Sequence, residues 1–428
     1  MQPNPSHDGQ IQVKKTLFWK SPREGCRVNA HIIGYTGTED RRLVGLVRED
    51  DFDRVGKLVV GQASARLIHS DDHGQTWQEQ EPLVTRETPE GITYDYPQTV
   101  FLDRRHNVCV FFSLRRWVKD PSVAAKDVKK YSRQLYRISR DGGRTWEDEQ
   151  ILIQKGPQYD QTNYLRGIRF GYNAGFISNE PLQCRDGTIL IPFFLWPWDE
   201  QQKKANPKKK TSAVLIANWT EDLRQIEWDL GQYTKVTDAS GCLCEITLAQ
   251  RDDGSLLGIM RADPQGGPGK IYCLSGDGGQ TWTDPQRLTF EGGEPLYSPS
   301  AISRLIRSAR TGKLYWIGNI LPFRKDHYVN VPSNRHRFIL QIAEVNEEDC
   351  SIKRETVTII DQSQNEADPK EYSNAYVYED RDSGNLILTM CEACALPFNH
   401  DSAPPSYQGP FMSKPSFTSD SYRYEIRL

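Results

Sequence analysis

An all-β chain built by radial repetition, a six-bladed β-propeller, is predicted by three observations: a phrase that occurs three times, the period at which it recurs, and a composition rich in turn and aromatic residues. The phrase reads S-x-D-x-G-x-T-W and stands at Ser70-Asp71-Asp72-His73-Gly74-Gln75-Thr76-Trp77, at residues 139–146 and at residues 275–282. Successive copies start 69 and 136 residues apart, so the second interval spans two periods and one repeat between them has lost its phrase. With 32 Gly, 25 Pro, 10 Trp and 19 Tyr against 37% hydrophobic residues, the chain has turns and aromatic anchors in plenty and little material for long amphipathic helices.

The phrase has a local physical logic. Ser and Asp side chains accept hydrogen bonds from backbone N–H groups a few residues on, Gly supplies a positive φ, and Thr and Trp return the chain to a strand and bury a ring. It reads as a hairpin turn between outer strands, followed by a packing anchor. On this reading Trp77, Trp146 and Trp282 are expected to be buried between blades.

Each blade's innermost strand should be a short apolar run opened by a polar residue. Six runs fit in chain order: Arg27–Ile33, Asp95–Leu102, Glu180–Leu182 before Asp186-Gly187, Glu245–Leu248 before Asp253-Gly254, Tyr297–Ile302, and Tyr372–Val377. Degenerate turns at Ala217–Asp222 and Ala343–Asp349 fill the gaps in the period. The sixth blade shows no phrase; it is expected to close the ring by pairing Gln12–Phe18 with the segment ending Tyr422–Leu428, which removes a sheet edge. Residues 1–428 are thus expected to form a single propeller domain.

Several functional classes lose support at this stage. Net charge is −3 and the Lys203–Lys210 run is the one dense basic stretch, so there is no bulk electrostatic case for nucleic acid or anionic membrane. Nothing approaches 18 consecutive apolar residues and the N-terminal segment has neither a basic nor an apolar signal region, so membrane insertion is not expected, and a cytoplasmic or a processed secreted location both remain open. The nine cysteines lack paired CxxC spacing and the eight histidines lack H-x-H or H-x-x-x-H spacing; reduced thiols, no metal and no cofactor are expected.

The residues that open the inner runs, Arg27, Asp95, Glu180, Glu245, Tyr297 and Tyr372, form a polar ring where the loops of a propeller converge, which suits a small polar ligand. The three phrases resemble the Asp box, or BNR repeat, of the sialidase (neuraminidase) superfamily, whose members are six-bladed propellers. The resemblance extends to an early Arg before an apolar strand, Arg27; to a Glu, an apolar run, a D-G turn and an Arg, here Glu245 through Arg261; to a third Arg, Arg337 with Arg335 as the near alternative; to a Tyr-Ser pair, Tyr372-Ser373; and loosely to an Asp-Pro step, Asp95-Tyr96-Pro97.

That resemblance implies an exo-acting glycosidase that releases a terminal acidic sugar such as a sialic or related nonulosonic acid. Arg27, Arg261 and Arg337 would clamp the sugar carboxylate, since guanidiniums bind carboxylates bidentately and stay charged at any working pH. Tyr372 would be the nucleophile and Glu245 its base, because a carboxylate nucleophile would be repelled by the neighbouring anion. The chain departs from the family at the catalytic acid: no acid stands a dozen residues before the first box, so either Asp51 or Asp53 reaches in on a longer loop or the acid comes from elsewhere. Two alternatives stay open. Glu180 and Glu245 could act as a carboxylate pair on another sugar, as in exo-arabinanase-like propellers, or the propeller could bind glycans without catalysis. Oligomeric state is not legible.

Overall fold

The computed structural model describes residues 11–51, 64–82, 86–88, 91–118, 129–201, 203–205, 210–265, 267–321, 337–363, 370–394 and 418–428. Its described strands form six antiparallel blades arranged as a propeller. Blade 1 holds Cys26–Tyr35, Leu43–Asp51, Ser64–Ser70 and Gln78–Pro82, and blade 2 holds Gly91–Asp103, Val108–Val118, Ser132–Ser139 and Gln150–Ile151. In blade 3, Gly175–Ile177 and Leu182–Gln183 both pair with Ile189–Leu195, followed by Thr211–Trp219 and Ile226–Leu230. Blade 4 comprises Leu243–Gln250, Leu256–Ala262, Lys270–Ser275 and Gln286–Arg287; blade 5 comprises Arg304–Arg307, Leu314–Gly318, Ile339–Asn346 and Thr358–Gln362.

Blade 6 starts with Lys370–Tyr372 and Tyr376–Glu379, continues through Leu386–Cys394 and Ser421–Arg427, and ends on the N-terminal strand Gln12–Trp19. The register runs from Gln12 opposite Arg427 to Trp19 opposite Ser421, so the ring is closed as the sequence suggests. The same pairing explains the missing sixth phrase. In blades 1, 2 and 4 the phrase links the third strand to the fourth, and in blade 6 those two strands lie at opposite ends of the chain with no hairpin between them.

Each phrase folds as a repeated hydrogen-bonded turn. Gly74 N–H donates to Ser70 Oγ at 2.8 Å, while Thr76 donates its N–H at 2.9 Å and its hydroxyl at 2.6 Å to Asp72. Ser139, Asp141 and Thr145 repeat the pattern, as do Ser275, Asp277 and Thr281. The backbone takes positive φ at Gly142 and Gly143, +70° and +78°, which explains the glycine requirement there. Blade 3 keeps a reduced version in which Thr220 donates to Asp222 at 2.7 Å.

Among the described residues, hydrophobic clusters fill all six junctions between successive blades, because each strand alternates its side chains between the two neighbouring sheets. Trp228 and Trp316 are the largest fully buried side chains. The phrase tryptophans do not share that depth. Trp77, Trp146 and Trp282 are half-buried and lie against the rims of these cores, Trp77 edge-on to Phe18 and Trp146 tilted on Phe111. A turn at the outer edge has core on one side of the ring and solvent on the other. Cys26, Cys109, Cys184, Cys244, Cys273 and Cys350 are buried free thiols.

Candidate functional site

Strand alternation decides which side chains of the first strands reach the channel. In blade 1, Arg27 pairs with Asp50 and Asn29 with Arg48 across one hairpin, which places all four on one face. Asp50 is fully buried and receives Arg27 Nη2 and Asn29 Nδ2 at 3.2 Å, Arg48 Nε at 2.9 Å and Arg48 Nη2 at 2.7 Å. Asp51, expected as an acid in the site, points to the opposite face. There Arg23 grips both its oxygens at 2.7 Å, on the side of Cys26. One residue of parity separates the two aspartates; Asp53 lies outside the described residues.

Asp95 is likewise engaged away from any ligand. Arg115 binds it bidentately at 2.6 and 2.7 Å and also reaches Glu149 at 2.7 Å. The neighbouring Tyr96 turns to the other face, where the Arg116 guanidinium lies 4.5 Å from its ring centre and that of Arg48 5.5 Å.

Asn179 and Glu180 occupy the gap between the two short first strands of blade 3. Glu180 Oε2 faces Arg304 Nη1 of blade 5 at 3.3 Å, and Arg304 in turn lies over the Tyr376 ring of blade 6 at 5.0 Å. Burial raises the Glu180 carboxyl above the usual carboxylate range, with Arg304 opposing, although a quarter of the side chain stays accessible. Tyr376 donates its hydroxyl to the Gln98 carbonyl at 2.9 Å. Arg304 lies two residues beyond the apolar run Tyr297–Ile302, and Tyr376 lies inside the run Tyr372–Val377, so neither opens a run as the expected site residues do.

Glu245 sits in a bulge: Cys244 pairs with Arg261 and Thr247 with Ile259, and of the two residues between them Glu245 takes a φ of +55°. Such a backbone in a non-glycine residue is strained, and strain of this kind gathers at functional positions. Its carboxylate accepts from Arg261 Nη1 at 3.0 and 3.3 Å. Arg261 Nε donates to Ser300 Oγ at 3.0 Å, Arg337 Nη2 donates to the Ser300 carbonyl at 2.7 Å, and Arg337 Nη1 reaches Ser373 Oγ at 3.4 Å. Behind them Lys270, fully buried, donates to the carbonyls of Pro299, at 2.9 Å, and Ala301.

Tyr372 differs from expectation. Its backbone N–H binds the Arg337 carbonyl at 2.7 Å, but its side chain is buried in the core between blades 5 and 6. There the hydroxyl faces Glu392 at 3.4 Å, not Glu245, and burial together with Asp361 and Glu392 raises its pKa. Pairing of Tyr372 opposite Glu392 fixes this direction.

The expected residues therefore divide. Glu245, Arg261 and Arg337 meet around Ser300; Arg27 joins Asp50 and Arg48; Glu180 joins Arg304 and Tyr376; Asp51, Asp95 and Tyr372 have other partners. A cavity of 240 Å³ opens beside these groups, lined by Arg48, Tyr96, Gln98, Arg116, Phe176 and Tyr376 among others. Among the described residues no group of three or more His, Cys, Asp or Glu could hold a metal ion.

The chain belongs to the BNR repeat-like domain family, which it matches over residues 61–387. No curated protein sequence matches it. In fold it is similar to a protein of unknown function from Dyadobacter fermentans, with a TM-score of 0.61 and 13% identity over 98% of this chain and 100% of that one. It is also similar to the NanB sialidase of Streptococcus pneumoniae, with a TM-score of 0.59 and 12% identity over 96% of this chain and 70% of that one. The intramolecular trans-sialidase of Ruminococcus gnavus gives 0.55 and 12%, over 96% of both chains. At these identities the likeness is one of fold: a six-bladed propeller of the sialidase kind.

Proposed function

We propose that the chain is an exo-acting glycosidase, sialidase-like in fold, that releases a terminal acidic sugar at the channel mouth. The observation that carries this reading is the pair Arg261 and Arg337, both bonded to Ser300 and with Glu245 against Arg261. Two guanidiniums fixed on one serine can embrace a carboxylate with charge-assisted bonds, and Glu245 then lies beside the bound sugar.

For the chemical step the reading assigns two carboxyls. Glu180, its pKa raised by burial, is assigned as the proton donor to the leaving oxygen. Glu245, pinned in its strained conformation, is the second. The hydrogen bonds from Asn179 to the backbone of Glu245 favour this pairing, because they join the residues next to both carboxyls into one unit. A second reading keeps a tyrosine nucleophile, and it is Tyr376 rather than Tyr372 that borders the cavity with Glu180 and Arg304 close by.

Release of fluorophore from sialic, deaminated sialic, uronosyl and arabinosyl glycosides tests the proposal. Acidic sugars alone should be cleaved, Glu180→Gln should lower kcat by about 10²- to 10⁴-fold, and Tyr372→Phe should stay near the parent. A crippled Tyr376→Phe beside an active Glu180→Gln would transfer the step to the tyrosine. No release from any glycoside, with glycan binding retained, would make the propeller a binding module.

A further inference from the structure

The arginines at the channel mouth can be sorted by what neutralises them. Arg261 faces Glu245, Arg304 faces Glu180, and Arg27 and Arg48 share Asp50. Arg116 is different. Its guanidinium lies 4.5 Å from the Tyr96 ring and 5.8 Å from that of Phe176, and no carboxylate among the described residues pairs with it. Burial, with Arg48 adding repulsion, holds it below the ordinary arginine value. A desolvated cation without a counter-charge is costly and persists where a ligand supplies the missing charge.

A second observation comes from the same cavity wall. Arg116 Nε, Gln98 Oε1, Ser178 Oγ and Asn179 Oδ1 are buried polar atoms without a hydrogen-bond partner, and all four residues line the 240 Å³ space. Arg116 Nε and Ser178 Oγ can donate to an oxyanion, whereas Gln98 Oε1 and Asn179 Oδ1 only accept and suit the hydroxyls of the same bound sugar. The space is of a size to take one substituted sugar ring.

We propose that this cavity between blades 2 and 3 is a second anion site, in which Arg116, backed by Arg48 and floored by Tyr96 and Phe176, receives an oxyanion carried by the sugar in addition to the group held at Arg261 and Arg337. The chemistry is that of a compact oxyanion, a carboxylate or a sulfate ester. Arg116 presents its fork to the two oxygens while the rings beneath hold the guanidinium plane. The inference deepens the proposed function: the preferred substrate is a doubly anionic sugar. Only the identity of that sugar rests on the glycosidase reading; the anion site does not.

Isothermal titration of the full chain with sodium sulfate and with sodium acetate, at moderate constant ionic strength, tests the site without any turnover. At least one of the two should bind the parent and raise its melting temperature. Arg116→Met should weaken that binding about tenfold or more, with a melting temperature in the absence of anion equal to or above the parent's, because an unneutralised buried charge has been removed. Arg116→Lys keeps the charge without the fork and should fall in between. The proposal is overturned if neither anion binds the parent, or if Arg116→Met binds as the parent does. Failure to cleave any glycoside, with these titrations as expected, would sink the glycosidase reading and leave the anion site standing.

Discussion

Asn179 holds Glu245 by its backbone: Nδ2 of the asparagine, on blade 3, donates to the Glu245 carbonyl at 2.9 Å and to that of Ile246 at 2.7 Å on blade 4. A non-glycine residue in the left-handed region costs on the order of 1–3 kcal/mol, and these two bonds cross the blade boundary where that conformation occurs. The carboxylate is aimed at Arg261 by this arrangement rather than by the strand alone.

Replacing Asn179 with Ala should therefore free the Glu245 backbone while leaving every proposed catalytic side chain in the protein. The expected result is a fall in kcat/KM on an acidic glycoside of about 10- to 100-fold, as for small misplacements of reacting groups. Steady-state kinetics check it. Unchanged kinetics would show that the bulge holds its own shape.

Lys270 stands one layer behind the arginines, its ammonium on the carbonyls of Pro299 and Ala301 so that Ser300 is presented between them. Lys270→Met fills the same space without the donors and should raise KM for an acidic glycoside about tenfold with little change in kcat. Burial, with Arg261 and Arg337 adding to it, pushes this amine down to about 7. Below that value folded and unfolded chains are both protonated and the folded one bears the full burial penalty. From about pH 7 up to the ordinary lysine value near 10.4 the unfolded chain binds the extra proton. Across that window the stability difference should move in favour of the parent over Lys270→Met, which denaturant melts at a series of pH values would reveal.

The box aspartates set the acid side of stability. Hydrogen bonds from Thr145, first its hydroxyl and then its N–H, hold Asp141 well below the usual carboxylate range, and Thr76 does the same for Asp72. A depressed folded value contributes stability that is complete above the unfolded value near 3.9 and is lost as the pH falls from there toward the folded value. Asp141→Asn should lower the melting temperature at pH 7 and flatten the acid limb of the stability profile. An unaltered acid limb would mean that these turns do not govern it.

Burial separates two kinds of tryptophan. Trp316 is fully enclosed between blades 4 and 5, and Trp316→Ala should destabilise the protein by about 3–5 kcal/mol. Trp77 is half exposed at the outer edge, so Trp77→Ala should cost clearly less. Equal losses in urea melts would contradict this order.

The repeated turn was legible because its chemistry is local: five residues within eight positions make the hydrogen bonds that identify it. From its spacing came the blade count and the closing pair of strands. The mouth was only partly legible, because its side chains are assigned by strand parity and parity changes at bulges. A bulge between Ile32 and Gly34, another between Pro97 and Thr99, and the one at Glu245 each reset the alternation. Adjacent acids such as Asp50 and Asp51 are indistinguishable without knowing that parity. Tyr372 turns into the core and not toward Glu245 for a related reason. The run containing it breaks at Asn374, where φ is +61°, so Tyr372 and Tyr376 belong to separate strands. Arg304, Arg116 and Lys270 carry no local signature, since what sets them apart is the charge, or the lack of it, brought near from other blades.

Pairing Gln12–Trp19 with Ser421–Arg427 also orders events on the ribosome. At about 5–20 residues per second, the roughly 400 residues between the two strands take about 20–80 s to emerge, and for that time the earlier strand has no partner within its own chain. A waiting strand invites pairing with strangers. This one carries Lys14 and Lys15 in its middle, two adjacent charges that would oppose stacking against a second copy of itself. In the finished ring Lys15 is claimed by Asp361 and Glu392. The same ammonium that guards the nascent strand from its neighbours becomes, once its partner strand has emerged, part of the clasp.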